Sequence, residues 1–175
     1  MSNPISSSVA VPIAHVVLLI LIVVNLLGGV AILALLVVMP NEQWIMSAFK
    51  LSPSPEAERL VMGLRVIAML GLAATPLNHV VLKRLLAIIK TVRAGHPFVA
   101  ANASRLQLIA WVMLALNVLS IVIGAIAEAV SIPAQPLHLD AGFSINGWLA
   151  VLLTFVLAHV FAKGALMGHD VEGTV

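Results

Sequence analysis

The sequence predicts an all-α membrane protein built as a bundle of four transmembrane helices, and three observations carry that prediction. Of its 175 residues, 62% are hydrophobic and only 9% charged, against about 45–50% apolar and roughly 25% charged in soluble domains. The apolar residues gather into four long runs, and the cations gather into one connection between them. With a mean hydropathy of +1.15, a chain this short has nowhere to hide its apolar surface from water. An ordinary soluble enzyme, a disordered tail and a disulfide scaffold are excluded together. The chain has no Cys, which removes thiolate metal sites and Cys nucleophiles as well.

The first span runs from Ile13 to Met39, 27 residues without a charge, ending at Pro40. It exceeds the ~20 residues that cross a bilayer core, so tilt or a buried extension is expected. No Lys or Arg precedes it, and the run is far longer than a signal peptide's roughly 7–15 apolar residues. It reads as a retained helix. The second span covers about 60–82 and holds Arg65, Pro76, Asn78 and His79. Pro76 removes one backbone hydrogen bond and is expected to kink it. The third covers about 106–130, with Trp111, Asn117 and Glu128; the fourth covers 147–167, with Thr154 and His159. The four spans form one membrane domain over residues 1–175.

Charge then orients the spans. The connection between spans two and three carries Lys83, Arg84, Lys90, Arg93 and Arg105 and no acid. The first connection holds Lys50 and Arg59 against Glu42, Glu56 and Glu58, and the last has one acid, Asp140. Positive charge marks the cytoplasmic side, so the expected topology has both termini inside, in a bacterial inner membrane. The net charge of +2 is too small to argue for direct nucleic-acid binding.

Within the basic connection, Leu82, Leu85, Leu86, Ile89 and Val92 recur at helical spacing. Span two therefore continues as an amphipathic helix until Gly95, the expected C′ residue. His96-Pro97 turns the chain, and Pro97 at the first helical position starts the third helix early. Residues 83–105 thus form a basic helical hairpin, which either touches anionic lipid head groups or docks a cytoplasmic partner. On the other side, Leu137, Leu139, Ala141, Phe143 and Ile145 alternate with polar or small residues, the period of a strand. In the first outer loop Trp44 to Leu51 is a weaker strand candidate, and the two segments pair into a small β cap or remain irregular loop anchored by Trp44. Asn146 is the expected N-cap of the fourth span.

Polar groups at membrane depth are few. Arg65 and Glu128 lie near the same ends of adjacent antiparallel spans, so an intramembrane ion pair is one reading and snorkelling of Arg65 the other. Asn25 and Asn117 are expected to hydrogen-bond between helices rather than bind a ligand. His15, His79 and His159 raise the question of haem or metal. His79 and His159 differ in depth by roughly 7 Å at 1.5 Å per residue, a poor fit to two axial ligands, and no i, i+4 histidine pair is present. No cofactor or metal is expected. Catalytic constellations are missing too, so no enzymatic activity is expected.

Two stretches carry a resemblance. Gly95-His96-Pro97-Phe98-Val99 with Asn102-Ala103, Arg105-Leu106 and Trp111 is similar to a G-x-P-F-V-x-x-N-A-x-R-L signature. Phe161 to Met167, then Asp170 and Glu172-Gly173-Thr174-Val175, is similar to an F-x-x-G ending that closes D-x-E-G-T-V. Together with the four spans, the chain resembles the bacterial membrane-protein family known as domain of unknown function 2975. The resemblance implies a four-helix inner-membrane protein with no assigned activity, often encoded beside a small helix-turn-helix regulator. The final helix extension departs from that pattern in carrying little charge, with Lys163 alone before Asp170. The function expected is a membrane sensor or anchor for that cytoplasmic DNA-binding regulator, with self-association open. The alternatives are a small transporter, channel or lipid-binding protein using Arg65 and Glu128, and a haem-binding electron carrier.

Overall fold

The computed structural model describes residues 5–38, 45–47, 52–131 and 141–172, with side chains over 11–37 at the first helix and up to 167 at the last. Four long helices account for nearly all of them: α1 (Ile5–Val38), α2 (Pro55–Arg93), α3 (Ala100–Val130) and α4 (Ile145–Glu172). All four are long and apolar enough to cross a membrane. Between 11% and 17% of each helix's most apolar stretch is buried inside the protein. Much of the rest is partly or fully exposed apolar surface, with Val30, Val37, Leu152 and Val160 among the most exposed. Such surface is stable in hydrocarbon and costs about 25 cal/mol per Å² in water, which fits an integral membrane protein.

Each helix is longer than its apolar span. α1 starts at Ile5 and runs through Pro12. α2 starts after Ser54, whose Oγ accepts the Ala57 N–H at 3.2 Å. Pro55 stands at its first position, where a missing N–H costs nothing, and Glu56 and Glu58 complement the helix dipole. The helix continues through Pro76 to the basic last turn of Lys90 and Arg93.

Several local expectations are corrected. α3 begins at Ala100 rather than at Pro97, with the Asn102 N–H bonded to the Val99 carbonyl at 2.8 Å. α4 begins at Ile145, so Asn146 lies inside the first turn and Ser144 precedes the helix. Residues 45–47 of the weaker strand candidate form a helical turn. Ile45 is fully buried against Val61, with Leu36 and Leu64 packed alongside; burial of an apolar side chain outweighs its strand propensity. Of the alternating segment, 137–140 lie outside the described residues, 141–144 are irregular, and Ile145 opens α4. Among the described residues there is no strand.

The chain gathers into two compact units. One is drawn from Met1–Asn25, Asn78–Leu114 and Ile145–Val175, the other from Leu26–Leu77 and Ala115–Ser144. The second unit is built on close backbone approach. A Cβ on Gly29 would stand 2.6 Å from the Thr75 methyl, and one on Gly63 would stand 2.6 Å from both Val130 methyls. At Gly124 it would meet backbone, 2.8 Å from the Ala141 carbonyl oxygen. Ser120 fastens that loop, its Oγ accepting the Gly142 N–H at 3.2 Å. Small residues that let backbones approach are the usual adhesive of membrane helices, which gain no hydrophobic driving force from one another in lipid.

Candidate functional site

The first unit holds the basic hairpin. Its turn follows from residue chemistry. Gly95 has φ +84°, a conformation open to glycine because it lacks Cβ. The Gly95 N–H donates to the Val92 carbonyl and the His96 N–H to the Thr91 carbonyl, both at 3.1 Å. These two bonds are the Schellman ending that a C′ glycine forms, as the sequence led one to expect.

Asn102 locks the hairpin shut. It is fully buried, and its Nδ2 donates to Thr91 Oγ1 at 2.7 Å and to the Pro97 carbonyl at 2.8 Å. Its Oδ1 accepts from Arg105 Nη1 at 2.8 Å. The amide orientation is forced, because a guanidinium can only donate and a carbonyl can only accept. Thr91 Oγ1 in turn donates to the Ile88 carbonyl at 2.7 Å. The network joins the end of α2, the turn and the start of α3, and Leu106 and Ile109 continue it into an apolar cluster with Ala158 of α4.

The two stretches that carry the family resemblance meet here. The Phe98 and Phe161 rings lie 5.2 Å apart, and a Cβ on Gly164 would stand 3.0 Å from Phe98 Cδ1. Gly95, Pro97, Asn102, Arg105 and Leu106 each have a place in this joint. One turn beyond, Trp111 packs edge-on against Phe155 at 5.3 Å. Thr154 Oγ1 donates to the Ala150 carbonyl at 2.7 Å, with Met113 Sδ 3.8 Å away.

Beside the joint, α3 and α4 leave a cleft of about 1030 Å³. The turn 95–99 closes one end, and Ser104, Gln107, His159 and Ala162 are among the residues along its walls. Nothing in the sequence alone marked this cleft; the small residues Ala100, Ala103, Ala158, Ala162 and Ala165, which make room for it, are ordinary in an apolar helix.

The expected hairpin cations divide into two sets. Lys83, Arg84, Lys90 and Arg93 are exposed, whereas Arg105 is half-buried and committed to Asn102. In the second unit, the Gly63–Val130 approach sets Arg65 level with Glu128 in the antiparallel register. A step of two residues turns a helix by about 200°, so both lie away from that contact face. Glu128 is exposed; Arg65 is half-buried and engaged. Pro76 is exposed within α2. Asn25 and Asn117 are both engaged. His15 and His79 bury Nδ1 with no hydrogen-bond partner among the described residues, and His159 lines the cleft. Among the described residues no three His, Cys, Asp or Glu side chains cluster as metal ligands. No family model matches the chain, and no curated protein or solved structure is found to be similar to it.

Proposed function

We propose that this chain is a non-enzymatic protein of the bacterial inner membrane, a member of the family its two signature stretches resemble, with both termini cytoplasmic. In this reading its hairpin is a preformed basic platform that holds a small helix-turn-helix regulator at the membrane. The observation that carries the proposal is the division of labour among the hairpin's cations. Arg105 is spent internally on Asn102, while Lys83, Arg84, Lys90 and Arg93 stand exposed on helix that the network fixes in place. A surface ordered before binding loses less entropy when a partner arrives, and clustered cations speed the encounter with an acidic one.

The test is co-expression with a small helix-turn-helix protein from an adjacent reading frame, the partner this reading requires. Co-purification from membranes with the wild type, lost when Lys83, Arg84, Lys90 and Arg93 are changed to Ala, supports the platform. Equal recovery with the neutralised variant removes it. Reporter fusions at Gly95 test the topology separately, since export of that turn would invert the orientation.

A further inference from the structure

We propose that the cleft between the start of α3 and α4 binds one anionic phospholipid, taken from the membrane leaflet on the hairpin's side. The inference rests on the chain spanning a membrane and is independent of any regulator. Size is the first support. At about 1030 Å³ the cleft reaches the top of the ~300–1,000 Å³ range of ligand pockets. Along α4 its wall runs from Phe155 to Leu166, about 16 Å at 1.5 Å per residue. Half of a ~30 Å hydrocarbon core is about 15 Å, so the cleft is one leaflet deep.

The chemistry of the walls is the second support. The polar side chains are His96, Ser104, Gln107 and His159, with no carboxylate among them. The contacts of Trp111 with Phe155 and of Ile109 with Ala158 set an antiparallel register. That register puts Gln107 level with His159 and leaves Phe155 at the apolar end. Polar groups therefore run inward from the turn over about 10 Å at 1.5 Å per residue, with Ser104, whose hydroxyl donates to the Ala101 carbonyl, between His96 and the Gln107–His159 level. A phospholipid presents acceptors in the same order, phosphate first and then ester carbonyls, before its acyl chains.

Charge is the third support. Exposed Lys163 follows Ala162 of the wall, and exposed Arg93 stands two residues before Gly95. No Asp or Glu lies between Glu58 and Glu128, so the hairpin itself carries no acid; the nearest acids along α4, Asp170 and Glu172, lie beyond the cleft's last residue, Leu166. Cations close to the membrane surface favour anionic over zwitterionic lipid.

The experiment uses the full chain purified in detergent, with phosphatidylglycerol or phosphatidylcholine added and bound lipid counted by native mass spectrometry. The expected result is retention of one phosphatidylglycerol in preference to phosphatidylcholine. Ala162→Phe fills the cleft and is expected to weaken that retention about tenfold or more, the scale of one lost charge-assisted hydrogen bond. Gln107→Leu with His159→Leu, which keeps the cleft's volume, is expected to do the same and decides the matter if Ala162→Phe does not fold. Lys83→Ala with Arg84→Ala, outside the cleft, should leave retention unchanged. Equal retention of the two lipids overturns the proposal, as does retention indifferent to the folded cleft variants. Loss with Lys83→Ala and Arg84→Ala alone also overturns it, by assigning the lipid to diffuse surface charge.

Discussion

The two compact units join their helices by different means. In one, a buried asparagine collects hydrogen bonds from three segments of chain; in the other, glycines at positions 29, 63 and 124 let helices and loop approach until side chain or backbone touches. The glycine contacts answer the difficulty that apolar helices in lipid have no hydrophobic reason to prefer each other over lipid tails, whereas the hub orders a hairpin between two apolar spans. They differ in what a mutation exposes. A polar hub concentrates its losses, because removing one buried side chain takes a hydrogen bond from three places at once. A glycine contact degrades by degrees, according to whether the neighbour can yield.

Four substitutions, read by thermal unfolding in detergent, separate the two behaviours. Asn102→Leu should be the most damaging, by roughly 2–4 kcal/mol, since it leaves the Pro97 carbonyl without its partner and takes one bond each from Thr91 and Arg105, which keep the Ile88 and Ala87 carbonyls. Gly124→Ala comes next, at roughly 1–2 kcal/mol, because the new Cβ meets the Ala141 carbonyl rather than a side chain that can turn. Gly29→Ala should cost less, under about 1 kcal/mol, since helix propensity returns part of the clash with Thr75. Pairing it with Thr75→Ser, which deletes the offending methyl, should restore the midpoint, a coupling a double-mutant cycle measures. Its neighbour is the control: a Cβ on Gly28 meets nothing within 4 Å. Gly28→Ala should raise stability by roughly 0.5 kcal/mol. If Gly28 and Gly29 respond alike, glycine packing is not what holds that unit together.

How much of this was legible beforehand depends on the range of the interaction. The four helices announce themselves through apolar runs, and the end of α2 through Gly95, because both are properties of a few consecutive residues. Helix starts were less legible. Pro97 and Asn146 have the right chemistry for a start, yet Ala100 and Ile145 are where the helices begin. At Pro97 the carbonyl is instead held by Asn102, eleven residues from Thr91 in the same network. The turn at Ile45 has no local signal, because its burial depends on Val61. The glycine contacts and the cleft are products of pairing between distant residues, and a single sequence carries no record of which helix face meets which.

Phe98 has a consequence for the order of assembly. The bonds of Asn102 span eleven residues or fewer, so the turn can close soon after residue 105 leaves the ribosome. The ring of Phe98 must wait for Phe161 and Gly164, roughly 60 residues later, which at 5–20 residues per second is about 3–12 s of synthesis. Until then an aromatic side chain protrudes from a finished bend. Phe98 stays 55% exposed in the finished fold, so the last helix covers only one flank of the ring, and the Phe98–Phe161 contact reports that α4 has arrived rather than that the ring is buried.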